Sequence, residues 1–239
     1  MDPYNKLRGS MGFPVDFEVG QAINKYNEAK LKAIYQGCNN YVVKLVCSGG
    51  GTTKGFFNGF FYSDSNLILS SGHISGFGGA DKYEALFFHG TALAKRCELK
   101  LLHLGSFVGQ ATSSAGIPFN VYNPDVAVLE CPDVPPHPPR PFAEVVSPGA
   151  SVCVVGFKGV DEPQLSISDG IVSYSGMDTM HITAHVDDRY SGSPVLSTQG
   201  YVVGMVKAGL GTTIKQVEVV SAQTIHSFLV SKGLPGFKG

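Results

Sequence analysis

Charge is scarce in this chain of 239 residues: 15% of them are ionic, and the two signs nearly cancel to a net charge of −1. Without a basic surplus there is no electrostatic case for nucleic acid or for an anionic membrane surface. No apolar run approaches the ~20 residues that span a bilayer as a helix, and the N-terminus lacks the basic-then-apolar order of a secretory signal. The five cysteines, at 38, 47, 97, 131 and 153, are odd in number and include no CxxC pair. Cys47 and Cys153 lie in apolar alternating runs, where a free thiol behaves as a small hydrophobe. These absences predict reduced, mostly buried thiols, no zinc site, and an intracellular protein, cytoplasmic or nuclear; no organic cofactor is expected for the chemistry reached below.

Turn-forming residues are abundant instead, with 30 glycines and 14 prolines. From Asp16 to Tyr35 the apolar positions, Phe17, Val19, Ala22, Ile23 and Tyr26 among them, fit a helix better than a strand, with Asp16 as cap and Gly37 just past the end. After Gly37 the pattern changes to short alternating segments at 41–47, 55–62, 67–70, 85–88, 98–104 and 126–130, all of which read as strands. Pro132 to Pro141 then holds six prolines in ten residues, a composition that fits neither helix nor sheet interior and makes an extended spacer. Strand patterns resume at 151–157, 170–174, 181–185, 194–197, 201–207 and 215–220, and Ser221 is placed to cap a helix over Ala222–Lys232 that Gly233 ends. The expected units are an N-terminal extension (1–36), a strand-rich domain (37–131), the spacer (132–141), a second strand-rich domain (142–220) and a C-terminal helix with its tail (221–239). Many short strands in two halves predict an all-β protein made of two small β-barrels.

Three residues stand where chain elements end. His73 follows the apolar run Leu67-Ile68-Leu69 through Ser70-Ser71-Gly72, Asp125 heads the apolar stretch Val126-Ala127-Val128-Leu129, and Ser191 lies in Tyr190-Ser191-Gly192-Ser193-Pro194-Val195. A serine hydroxyl is a poor nucleophile at neutral pH and needs a base to take its proton. Histidine has the right pKa, and a buried carboxylate fixes its tautomer and stabilises the imidazolium. Taken singly, His73 also reads as a turn histidine and Asp125 as an aspartate following a proline; their order and settings together point to serine-dependent peptide hydrolysis.

The stretches Phe57–His73, Asp125–Leu129, Ser168–Ser173, Ser191–Val195 with Gly204-Met205, and the final helix resemble, in that order, the corresponding segments of the chymotrypsin-like serine proteases, in particular their HtrA/Deg-type branch. The resemblance covers about Gly55 to Gly233 and implies two six-stranded antiparallel β-barrels with the active site in the cleft between them. It implies His73 as general base and then acid, Asp125 as its orienter and Ser191 as nucleophile. The amides of Arg189, Tyr190 and Ser191 would form the oxyanion hole, and His185, Val206, Ala208 and Gly209 would lie about the primary substrate pocket.

The chain departs from that pattern in three places. Arg189 stands where the family has glycine, the residue that lets the backbone aim the first oxyanion amide. Tyr190 replaces the acid that pairs with a freshly cut N-terminus in secreted relatives, so activation by cleavage is not expected. HtrA-type enzymes often carry a C-terminal PDZ domain, and this chain stops at Gly239. The resemblance implies protein or peptide substrates as partners, and homo-trimers formed through the N-terminal extension. Two rival readings stay open: a protease fold kept as a peptide-binding or scaffold module, motivated by Arg189, and a viral-type polyprotein-processing protease, to which Ser191-Gly-Ser-Pro194 and Gly204–Gly209 are similar.

Overall fold

A computed structural model of the protein describes residues 17–38, 41–62, 66–87, 95–113, 115–132, 142, 146–159, 164–186, 188–209 and 216–236. Most of the proline-rich stretch, Asp16, Asp187 and Lys215 lie outside them.

Strands β1 (Val42–Gly49), β2 (Thr52–Phe61), β3 (Leu67–Ser70), β4 (Lys82–Phe87), β5 (Lys95–Thr112) and β6 (Pro118–Glu130) close into one barrel in the order β1-β2-β3-β6-β5-β4. Strands β7 (Ser151–Phe157), β8 (Leu165–Ser175), β9 (Thr179–Ile182), β10 (Pro194–Ser197), β11 (Val202–Gly209) and β12 (Val217–Ser221) close a second in the order β10-β11-β12-β9-β8-β7. Every pairing between these strands is antiparallel. Closure leaves no unpaired sheet edge in either barrel. The β1–β2 turn uses Gly50 and Gly51, both at positive φ (57° and 77°), the backbone sense that matches the twist of a tight hairpin.

The first helix, α1 (Phe17–Cys38), runs through Gly37 instead of stopping before it. Its C-terminal part is packed within the chain: Ile34 and Cys38 are buried in the main core and the Tyr35 hydroxyl donates to the Leu165 carbonyl at 3.0 Å. The closing helix, α2 (Ala222–Ser231), is capped by Ser221, whose hydroxyl accepts from the Thr224 amide at 3.1 Å. Its Ile225, Phe228 and Leu229 are buried in the same core as Leu67 and Leu129 of the first barrel and Met205 and Val220 of the second. At ~1.5–3 kcal/mol for each large apolar side chain buried, this shared cluster is what holds the barrels together. A polar link adds to it, since the buried Lys44 ammonium donates to the Gly159 carbonyl and lies 5.3 Å from the Phe56 ring centre.

Several strands are longer than the alternation predicts. β6 begins at Pro118, so Asp125 lies within a strand and not at its head. The β5–β6 ladder shifts register between Leu101 and His103, Leu104 and Ser106, and Phe107 and Gly109, and each shift interrupts the period-two pattern by which a strand is read.

Candidate active site

β3 is fully buried and delivers the chain into a 3-10 turn, Gly72–Ile74, that carries His73. The turn presses on β6, and a Cβ added at Gly72 would lie 3.0 Å from the Val126 nitrogen and 3.1 Å from Asp125 Oδ1. Glycine at 72 therefore lets the histidine turn approach the aspartate. Asp125, 4% exposed, receives two hydrogen bonds from His73: its Oδ1 accepts from the backbone amide at 2.8 Å and its Oδ2 lies 2.7 Å from ring Nδ1. A carboxylate there fixes Nδ1 as the protonated nitrogen and leaves Nε2 with its lone pair. Phe57 packs against the imidazole with ring centres 5.4 Å apart and Phe119 with centres 5.5 Å apart, so the ring is held by aromatic walls as well as by the acid.

Ser191 follows a 3-10 turn, Asp188–Tyr190, and precedes β10. It is buried, and its hydroxyl donates to the Lys207 carbonyl at 3.1 Å. The Val206 carbonyl brings the two segments together: it accepts from the Gly192 amide at 2.9 Å and from the Ser71 hydroxyl at 3.1 Å. Residues two before His73 and one after Ser191 thus converge on a single oxygen of the second barrel. The Tyr190 ring is buried in the second barrel's core and its hydroxyl shares a short hydrogen bond with that of Ser166. Gly192 adopts φ 85°, a conformation open to glycine at little cost.

Residues 57–205 match the trypsin-like peptidase domain. The chain belongs to that family. No curated protein matches it. Among solved structures, the peptidase is similar to the Rv3671c protease from M. tuberculosis in its active form, at 21% identity over 86% of this chain and 86% of that one, with a TM-score of 0.64. The inactive form of the same protease matches at 22% identity over 84% and 93%, TM-score 0.62, and Deg5 at 16% identity over 87% and 97%, TM-score 0.65. Identities this low speak for the fold, which agrees with the double barrel.

The peptidase places the residues expected about its primary pocket differently from one another. His185 is exposed, whereas the Val206 side chain is fully buried in the second barrel's core, which leaves its backbone facing the serine segment. Ala208 pairs with Glu218 across the β11–β12 ladder, and Gly209 with Val217. Lys207 forms a 2.8 Å ion pair with Glu218. Arg189 is exposed, and its carbonyl accepts from the Asn58 side chain at 2.9 Å. Asn58 escaped the sequence reading although it touches the serine segment more than once. Its one sequence signal was a lone polar side chain inside Phe56-Phe57-Asn58-Gly59-Phe60-Phe61. Among the described residues no helix is long and apolar enough to cross a membrane, and no cluster of histidine, cysteine and acidic residues could hold a metal ion.

Proposed function

We propose that this trypsin-like peptidase is a serine endopeptidase in which His73, Asp125 and Ser191 act as a triad. The observation that carries the reading is the buried Asp125 carboxylate bound to both the ring and the backbone of His73. In attack, the Ser191 hydroxyl passes its proton to His73 Nε2 as Oγ bonds to the scissile carbonyl carbon. The carbonyl oxygen takes the negative charge, with the amides of Arg189, Tyr190 and Ser191 as candidate donors to it. His73 then protonates the leaving amine, and water, deprotonated by the same imidazole, releases the acyl group from Ser191. Substrates are polypeptides.

The Ser191 hydroxyl donates to the Lys207 carbonyl at 3.1 Å; in attack its proton goes to His73 instead. A fluorophosphonate probe tests the scheme on the whole protein: an adduct on Ser191 is expected, lost in Ser191→Ala and His73→Ala. A folded protein that stays unlabelled in the presence of peptides defeats it.

A second reading, a protease fold serving as a peptide-binding module, is favoured by the 3-10 turn at Asp188–Tyr190. Such a turn directs amides toward carbonyls three residues back and so draws them away from a substrate oxygen. Peptide binding without any labelling of Ser191 is its signature.

A further inference from the structure

Asn58 sits in β2 of the first barrel, 1% exposed, and its side-chain hydrogen bonds cross to distant segments. Side-chain Nδ2 donates to the Arg189 carbonyl at 2.9 Å and to the Phe157 carbonyl at 3.2 Å, and Oδ1 accepts from the Phe157 amide at 2.7 Å. The backbone amide of Asn58 donates to the Ser191 carbonyl at 2.8 Å, and its carbonyl accepts from the Ser70 hydroxyl at 2.7 Å. Two carbonyls and one amide surround the carboxamide, which fixes its orientation, because only Nδ2 can donate to the first two and only Oδ1 can accept from the third. No other side chain of this size supplies two donors and an acceptor in that arrangement.

Three successive peptide units around Tyr190 are fixed by these contacts. The Asn58 side chain holds the carbonyl of the Arg189–Tyr190 unit, and the Asn58 backbone holds that of the Ser191–Gly192 unit. The unit between them is held by the Ser193 amide, which donates to the Tyr190 carbonyl at 2.9 Å. That middle unit carries the Ser191 amide. The neighbouring backbone makes room for the clamp: a Cβ at Gly192 would lie 2.0 Å from the Asn58 carbonyl oxygen, and one at Gly156 would lie 3.1 Å from Asn58 Oδ1.

We propose that Asn58 is a positioning residue that sets the direction of the Ser191 hydroxyl and amide from the opposite barrel. The proposal rests on the serine-peptidase reading above. It assigns to a carboxamide of the first barrel part of the backbone control that glycine at position 189 would otherwise ease. Removing the Nδ2 donors takes from the Arg189 carbonyl the hydrogen bond that Asn58 supplies and loosens the hold on the Arg189–Tyr190 unit.

The test compares Asn58→Asp and Asn58→Ser with the unaltered protein by the kinetics of fluorophosphonate labelling. Tyr35→Phe, which removes one side-chain hydrogen bond to the Leu165 carbonyl, serves as the stability control. The limiting labelling rate at saturating probe is expected to fall about 10²-fold in both Asn58 variants, the lower end of what loss of one oxyanion donor costs, with the half-saturating concentration nearly unchanged. Tyr35→Phe lowers the melting temperature without that loss of rate. Amide hydrogen exchange supplies a readout independent of chemistry: protection of residues 189–193 falls in the Asn58 variants. Folded Asn58 variants that label at the unaltered rate overturn the proposal, as does unchanged exchange in the serine segment. If the unaltered protein does not label at all, the serine-peptidase reading fails and the exchange experiment alone decides the clamp.

Discussion

The Asp125 carboxylate binds His73 twice, once at ring Nδ1 (2.7 Å) and once at the backbone amide (2.8 Å). One side chain therefore orients the imidazole and also closes the turn that carries it. Asp125→Asn keeps the size of the group but puts an amide donor opposite either Nδ1 or the backbone N–H. Facing Nδ1, it forces the tautomer with the proton on Nε2, where a lone pair is required. The peptidase rate of Asp125→Asn is expected to fall by about 10⁴, with little change in substrate binding. Loss of less than tenfold, measured as limiting labelling or turnover rate, would be incompatible with an orienting carboxylate.

Two serines flank Gly192, and their hydroxyls have different surroundings. The Ser193 hydroxyl is fully buried and has no hydrogen-bond partner among the described residues, and a buried hydroxyl left unsatisfied is a cost carried by the fold. Ser193→Ala should keep the labelling rate and leave stability unchanged or raise it by ~1 kcal/mol, as read from chemical denaturation. Ser191→Ala should abolish labelling without unfolding the protein. An adduct mapped to Ser193 would reassign the nucleophile.

How much of this was legible in the sequence depends on whether the signal was local. β3, β7 and β10 are found at the residues that the alternation marks, because each is a short apolar run between turn residues. The long β5–β6 hairpin was read as two short strands. Pro118 and Pro124 argue against a continuous strand, and the register shifts of β5 break the period of two. Gly105 shows how close the two strands come, since a Cβ there would lie 1.9 Å from the Pro124 carbonyl oxygen. His73 and Asp125 were visible because each follows or interrupts an apolar run. Asn58 was not, because its partners lie 99 and 131 residues away in sequence and nothing near it in the chain announces them.

The Lys207–Glu218 pair stands on the strand whose carbonyl holds the resting serine. Its side chains are 31% and 19% exposed, so solvent screens the attraction and the pair is worth about 0.2–1 kcal/mol. Glu218→Gln should lower stability by that amount at low salt, and the difference should shrink as ionic strength rises. Denaturant titrations at two salt concentrations measure both. A loss of several kcal/mol that ignores salt would mean that Glu218 supports the barrel by packing and not by charge.

Alkaline pH should expose how the core is built. Burial raises the thiols of Cys47 and Cys153 from the ordinary 9.0 to about 12, with Cys38 and Asp169 adding to the effect at Cys153; burial likewise raises the Tyr62 hydroxyl from 10.0 to about 12. In the unfolded chain the thiols ionise near 9, while the folded chain keeps them protonated to about 12. Across that window the unfolded state binds fewer protons, so stability is full below pH 9 and falls as pH rises toward 12, by up to ~1.4 kcal/mol per pH unit for each thiol. Melting temperatures measured from pH 8 to pH 11 should decline accordingly, and a Cys47→Ala, Cys153→Ala variant should decline less steeply over the same range. Thiol reagents at pH 8 should leave both cysteines of the folded protein unmodified, since reactivity follows the thiolate. Rapid modification of either residue under native conditions, or an alkaline decline unaltered in the double variant, would show that the barrel interiors open to water far more readily than their packing implies.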